Sequence, residues 1–377
     1  MPYPNQNAPE TFQIFSDHFS TLADPRRTTK GNLLYPLEEI FFLTISACIS
    51  GANGWTAIET FGRSKLDWLR KFYTFENGIP SHDAISDLFA VLCPEAFGRC
   101  FMDWVNSIHR ITEGLVVSLD GKTVRGFTDT GKKASLHIVS AYASMNRTTL
   151  GQVSVDEKSN EITAIPKLLD LLTLEGCIVT IDAMGCQKDI ALKICKKKAD
   201  YILMVKGNQP ELKEQVQKVF SLGNRIKTDV DITAGHGRVE TRTCQVTQAL
   251  DFLDVKDDWK NLRSIVKISS VRYCKKTGKE STEERLYITS LADDPKLLNS
   301  SIRSHWGIEN NLHWELDVLF REDGQLKRIG NSAENFNIIS KIALGLIDND
   351  KSVKNSKPNK RLMAACNDNY REKLLNR

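Results

Sequence analysis

Long apolar runs are missing from this chain: the longest, Ile40-Phe41-Phe42-Leu43-Thr44-Ile45-Ser46-Ala47-Cys48-Ile49-Ser50, falls well short of the roughly 20 residues a membrane helix needs. The opening Met1-Pro2-Tyr3-Pro4-Asn5-Gln6-Asn7 has neither the basic nor the apolar stretch of a secretory signal. No two of the 9 cysteines form a CxxC pair. Cys177, Cys186 and Cys195 recur every nine residues, but the pattern puts the first on a strand and the last on a helix, which disfavours a zinc site. Reduced thiols and a cytoplasmic protein without membrane association are therefore expected. Internal repeats are absent too. A large charge of one sign is also lacking, with a net of +4 over 377 residues. The 41% hydrophobic and 26% charged content is that of an ordinary globular protein, which excludes disorder on a large scale.

The distribution of charge says more than its sum. Residues 1–110 carry 9 Lys and Arg against 12 Asp and Glu, residues 111–347 carry 34 against 31, and residues 348–377 carry 8 against 4. Residues 1–30 read as a basic N-terminal arm ending in Asp24-Pro25-Arg26-Arg27-Thr28-Thr29-Lys30. Across 31–112 the apolar residues recur at helical spacing in four segments (36–49, 54–72, 82–91 and 95–109), separated by Gly and Pro. This predicts an all-helical domain, a candidate for binding DNA, with Ser81 as the N-cap of its third segment. That segment resembles the second helix of a helix-turn-helix, although Asp83 and Asp87 would repel phosphates.

From 113 to 209 the texture becomes strand, strand, strand, helix, strand, helix, strand. The order is that of an RNase H-like α/β core, a mixed sheet flanked by helices. A β-strand-rich insertion over 210–292 interrupts it, with strands at Thr241–Val246, Ser264–Ser269 and Arg285–Ser290. The core resumes over 293–347 with a helix from Leu297 to Leu319, broken near Gly307, and a final helix over 331–347. A basic tail follows over 348–377.

Three acidic residues carry the chemistry. Asp120 ends the run Leu115-Val116-Val117-Ser118-Leu119, and Asp182 ends Cys177-Ile178-Val179-Thr180-Ile181. Both runs read as buried strands whose carboxylates emerge at one sheet edge. One such Asp is readily a turn former, but two on adjacent strands favour metal ligation. Glu309, in Trp306-Gly307-Ile308-Glu309-Asn310, lies 127 residues beyond Asp182, against 62 between the aspartates. On a helix it shares a face with His313 and Asp317, and Glu322 and Asp323 are rival third ligands. Such a set holds hard divalent cations, Mg²⁺ or Mn²⁺, and points to phosphodiester chemistry.

Several residues are candidates for DNA contact, each with a plainer alternative. Lys122 and Arg125 follow the first carboxylate and either hold phosphates or line a solvated turn. Lys188 opens a lysine-rich helix that either tracks a DNA backbone or is a solvated face. Lys206, Asn208 and Gln209 touch DNA or build the turn after the fifth strand. His236, Arg238 and Arg242 share a strand face, and His305 and Trp306 precede Glu309, where Trp306 is better read as packing than as stacking on a base.

With these residues in place, the chain resembles insertion-sequence transposases of the DDE type, in the ISAs group that includes the H-repeat-associated proteins. The likeness rests on Asp24-Pro25-Arg26, Tyr35-Pro36-Leu37, Leu119-Asp120-Gly121-Lys122, the run Val155–Ile162, Thr180-Ile181-Asp182-Ala183-Met184-Gly185-Cys186-Gln187, Lys206-Gly207-Asn208-Gln209, His236-Gly237-Arg238 and His305-Trp306-Gly307-Ile308-Glu309-Asn310. The resemblance implies an RNase H-like core, Asp120, Asp182 and Glu309 as the metal triad, and Mg²⁺-dependent cutting at transposon ends. Water would attack first, and the freed 3′-OH would then attack target DNA. Two ends must be cut and joined together, which implies a homodimer on DNA. Wider relatives carry Tyr, Arg and Lys around the glutamate where this chain has Ile302, His305 and Leu316, so neither a phosphate clamp from that set nor a hairpin intermediate is supported. A transposase-derived DNA-binding protein without catalysis, and a Mg²⁺-dependent nuclease that never joins ends, are the alternatives.

Overall fold

Among the described residues nine strands form one mixed sheet, and helices pack against it along its width. The computed structural model describes residues 16–26, 33–108, 113–124, 136–155, 160–223, 225–235 and 237–376. The N-terminal helices are α1 (Leu37–Ile49), α2 (Trp55–Ser64), α3 (Leu66–Leu69), α4 (His82–Val91) and α5 (Pro94–Ile108). Helix α1 is apolar on nearly every side and is buried from Glu39 to Ile49, so it forms the centre of the bundle. Phe41 stacks on Phe97 of α5 with ring centroids 5.1 Å apart, and Gly62 lets α2 approach, since a Cβ there would lie 2.9 Å from Leu43. Ser81 caps α4 as its position predicts, accepting from the Ala84 N–H.

The sheet begins with β1 (Val116–Val124), β2 (Leu136–Ala143) and β3 (Thr148–Ser154), then α6 (Glu161–Leu171), β4 (Ile178–Ile181), α7 (Lys188–Lys196) and β5 (Asp200–Val205). The strand order is β3-β2-β1-β4-β5, with β2 antiparallel to β1 and with β1, β4 and β5 parallel. Strand β1 does not stop at Asp120. It runs on to Val124 because β2 keeps pairing with it, Asp120 opposite Ser140 and Val124 opposite Leu136, while β4 ends at Ile181 opposite Leu119. Lys122 thus lies within a strand, not in a hairpin turn. The parallel pair leaves a crevice beyond its carboxyl ends, the position at which such sheets present functional groups.

After β5 come α8 (Pro210–Leu222), β6 (Lys227–Gly235), β7 (Arg238–Thr247), β8 (Ser264–Cys274) and β9 (Glu280–Thr289). These strands extend the same sheet, β9 pairing antiparallel with β5, in the order β5-β9-β8-β7-β6. The chain then forms α9 (Pro295–His305), a π-helical turn (Ile308–His313), α10 (Trp314–Phe320) and α11 (Ser332–Asn349).

Within 348–377, expected as a basic tail, the chain instead forms α12 (Lys357–Cys366) and α13 (Asp368–Leu375). Two of their arginines are internal. Arg361 donates to the Cys48 carbonyl at 2.8 Å and to Asn53 Oδ1 at 2.5 Å, and the Arg371 guanidinium lies 3.9 Å from the Trp68 ring centroid. Part of the basic excess at the C-terminus is therefore structural. Helix α11 joins the same core, with Asn335 Nδ2 donating to the Phe89 and Leu92 carbonyls. Among the described residues no helix is long and apolar enough to cross a membrane.

Candidate active site

Asp120 and Asp182 lie at the crevice at the end of β4, and the charge of Asp120 acts on both Asp182 and Glu309. Burial pushes the Asp182 carboxyl up from its ordinary value, and the charge of Asp120 pushes it the same way. The Met184 N–H donates to Asp182 Oδ1 at 3.0 Å and holds it in the turn after β4. Glu309 is also raised, first by burial and then by Asp120, while His313 and Arg285 oppose the shift. His313 Nε2 lies 3.3 Å from Asp120 Oδ2 and has no hydrogen-bond acceptor of its own. Asp120 thus repels both Asp182 and Glu309, yet the three carboxylates are not drawn into a single tight set. The described residues hold one group of three with ligand atoms within 4.8 Å of one another, and it is Asp317, Glu322 and Asp323.

That second acidic group already has a cation. Lys122 Nζ donates to Asp317 Oδ1 at 2.6 Å and to Glu322 Oε2 at 2.5 Å, and the buried Glu322 also accepts from Asn337 Nδ2. Lys122 is thereby tied to α10 and the turn after it. Asp317 and Glu322 are likewise engaged as its partners.

The helix carrying Glu309 is broken in a specific way. Between α9 and α10 the chain makes a π-helical turn, wider than α, so Glu309, His313 and Asp317 do not stay on one face. His313 faces Asp120, while Asp317 reaches Lys122. Gly307 fixes the approach: a Cβ there would lie 2.7 Å from Ser144 Oγ, which donates to the Ser304 carbonyl.

The crevice holds a fourth carboxylate. Glu161 opens α6, and its Oε1 accepts from His137 Nε2 at 2.7 Å; His137 Nδ1 lies 2.8 Å from Thr123 Oγ1. Burial raises Glu161, His137 opposes the shift, and Asp182 and Asp120 add to it. Gly121 makes room, because a Cβ there would lie 2.2 Å from Glu161 Oε1. Glu161 stood within the run Val155–Ile162 without a role being read into it. His137 gave no sequence signal, since its function depends on β2 pairing it with Thr123.

Other candidates take structural positions. His305 is buried, its Nδ1 3.0 Å from the Thr180 hydroxyl that donates to Ser118, and burial holds its ring below the ordinary imidazole value. It braces the helix on β4. Asn208 Nδ2 donates to the Ala183 carbonyl and Gln209 Nε2 to that of Cys186, so these amides brace the loop after Asp182. Lys188 pairs with Asp258 at 2.7 Å on the surface. Lys206 is exposed and lines a cavity of about 600 Å³ between β5, α8 and β9. Arg238 is exposed, whereas Arg242 is buried, its Nε donating to Asn299 Oδ1 at 2.8 Å. Trp306 packs against the core beneath α9, with the Arg285 guanidinium 4.2 Å above its ring. Arg125 and His236 lie outside the described residues.

Comparison with known proteins places this geometry in a family. The family model described as "Transposase DDE domain" matches residues 112–346, and one described as "DDE_Tnp_1-associated" matches residues 16–105. The chain is 42% identical over 372 residues to "Putative transposase YncI" of Escherichia coli O157:H7, covering 97% of this chain and 95% of that protein. It is 40% identical over 369 residues to "H repeat-associated putative transposase YhhI" of E. coli K12, covering 95% and 97%. A shorter relative, "Inactive transposase YbfQ" of the same strain, is 47% identical over 70 residues, 19% of this chain and 81% of that protein. The chain belongs to the DDE transposase family, whose DDE domain is RNase H-like.

Proposed function

We propose that this chain is a DNA transposase of the ISAs group that binds the terminal inverted repeats of its own element as a dimer, cuts there and joins the freed ends to target DNA in the cytoplasm. In this reading Asp120, Asp182 and Glu309 hold the divalent cations, and β6 to β9 are an insertion in the RNase H-like core. The observation that carries it is the action of the Asp120 charge on both Asp182 and Glu309, each raised first by burial and then by that charge, at the open end of a parallel strand pair. Like charges gathered at one crevice are costly to keep ionised together unless a cation compensates them.

The donor set fits hard cations. It consists of carboxylate oxygens with a single imidazole, His313, whose Nε2 lacks an acceptor, and it suits Mg²⁺ or Mn²⁺. Bound there, the cations would supply Lewis-acid stabilisation of charge on the attacking and leaving oxygens. The protein's part is placement. Asp182 is oriented by the Met184 N–H and Glu161 by His137, and Lys122 anchors the helix that follows Glu309. Water attacks the phosphorus at the transposon end, and the 3′-OH so released attacks a phosphorus of the target, with no covalent bond to the protein.

The test is product analysis. Labelled duplex carrying the element's end is incubated with supercoiled plasmid, protein and Mg²⁺. Label covalently joined to plasmid is expected, and nicks without joining would reduce the protein to a nuclease. Binding with neither product in Mg²⁺ or Mn²⁺ would leave only DNA binding.

A further inference from the structure

A cleft beside Glu309 is unused by the chemistry just described. It encloses about 800 Å³ between one face of β7 to β9 and α9. Strand register puts Glu240 and Arg242 of β7, Arg272 of β8 and Arg285 of β9 on its floor, and Arg303 and Trp306 form its wall. It lies on the approach to the carboxylates, since the Arg285 charge is felt at Glu309.

Three of these arginines have carboxylate partners within the protein. Arg272 Nε is 3.0 Å from Glu240, Arg285 is 2.7 Å from Glu283 and Arg303 is 3.1 Å from Asp231. Arg242 is different. It is only 5% exposed, and its Nη2 has no acceptor. Its Nε donates to the neutral Asn299 amide, whose other end donates to Asp229 Oδ2 at 2.8 Å, so Asp229 reaches the guanidinium only through an uncharged group. Glu240, on the same strand face, is engaged by Arg272. A buried guanidinium with no carboxylate in direct contact is costly even though the Glu240 charge acts on it, and its planar fork matches a phosphate.

We infer that Arg242 is the seat of a DNA backbone phosphate flanking the bond that is cut, and that the cleft guides one strand past Trp306 towards the carboxylates. The inference rests on the nuclease reading for its ligand. It goes beyond that reading by assigning a buried, non-scissile phosphate site to a side chain of the β6 to β9 sheet.

Full-length parent, Arg242→Gln, Arg242→Lys and Arg303→Gln are titrated in EDTA against a fluorescein-labelled duplex carrying the element's terminal repeat, over a range of salt. Arg242→Gln is expected to bind about 10-fold more weakly, with the log–log salt slope reduced by about one, and Arg242→Lys to fall between it and the parent. Single methylphosphonate linkages are then scanned along the duplex. One linkage should weaken the parent about 10-fold and leave Arg242→Gln unaffected. If Arg242→Gln fails to fold, Arg242→Lys carries the scan, with a smaller penalty expected at that linkage than the parent shows.

Equal affinity and equal salt slope in a folded Arg242→Gln overturn the inference, as does a scan in which parent and variant respond alike at every linkage, or a parent that does not bind the duplex. Cleavage by the parent in Mg²⁺, measured in parallel, separates the two readings. A parent that nicks while Arg242→Gln binds unchanged sinks the phosphate seat alone. A parent that binds without nicking sinks the nuclease, and the seat is then decided by the same binding comparison.

Discussion

Replacing Lys122 with Met tests whether this residue is a strut or a phosphate contact. Its ammonium bridges Asp317 and Glu322 at 2.6 and 2.5 Å, and removing it leaves Glu322, only 6% exposed, with Asn337 as its remaining partner. Breaking a buried pair from one side costs about 3–5 kcal/mol, and the low end applies because Asp317 is about a third exposed and solvent screens it. Unfolding entropy of roughly 2.1 cal/mol/K per residue gives about 0.8 kcal/mol/K over 377 residues, so a loss of about 3 kcal/mol lowers Tm by about 4 °C. Lys122→Met/Glu322→Gln should recover much of that loss, because the stranded charge is gone. Differential scanning calorimetry of the two single variants and the double variant reads the coupling directly. An unchanged Tm together with weakened, less salt-sensitive DNA binding by Lys122→Met would refute the strut.

Other residues give further tests. Lys341 is fully buried, its Nζ donating to Ser140 Oγ at 2.8 Å and Gln152 Oε1 at 2.6 Å, and burial pushes it down to about 7. Because the unfolded chain keeps its lysine protonated up to about pH 10.4, stability should rise with pH by roughly 1.4 kcal/mol per unit above pH 7, and the rise should end near the unfolded value. Lys341→Met should lose this component, and an unaltered Tm–pH profile in the variant would refute the assignment. Gly121→Ala would put a Cβ 2.2 Å from Glu161 Oε1 and 2.6 Å from His137 Nε2. Displacing such outer partners should cost about 10–100-fold in the rate of DNA cleavage with little change in Tm, and a parental rate would show that Glu161 does not support the site. Glu161→Gln should show a loss of the same order, read in the same assay.

Much of the fold was legible because its signals are local. The all-helical segments and the strand–helix alternation follow from periodicity, and Ser81 caps its helix because N-capping is decided within one turn. Strand β6 escaped notice for a physical reason. It is an edge strand with every residue exposed or half-buried, and the Val230 and Ile232 that alternate with Asp229, Asp231 and Thr233 are themselves exposed, so the alternation marks no buried face. The tail was misread because Arg361 and Arg371 look like solvated charge in a sequence, and only the fold shows them packed on Phe320 and Trp68.

At the site, Asp120 and Asp182 were readable as neighbours because topology alone sets their strands side by side. Lys122, Asn208, Gln209 and His305 were not, since each partner lies more than 20 residues away along the chain. The π turn at Ile308–His313 likewise changes which side chains meet, in a way a fixed helical period misses.

The most direct measurement is cleavage of a labelled fragment carrying the element's end, in Mg²⁺ and in EDTA, by the parent and by Glu309→Gln. The account predicts metal-dependent nicking by the parent, abolished in the variant while DNA binding is retained. Undiminished nicking by Glu309→Gln would remove this residue from the triad and return the third ligand to Asp317, Glu322 or Asp323. A parent that binds the fragment and never nicks it would contradict the account at its centre.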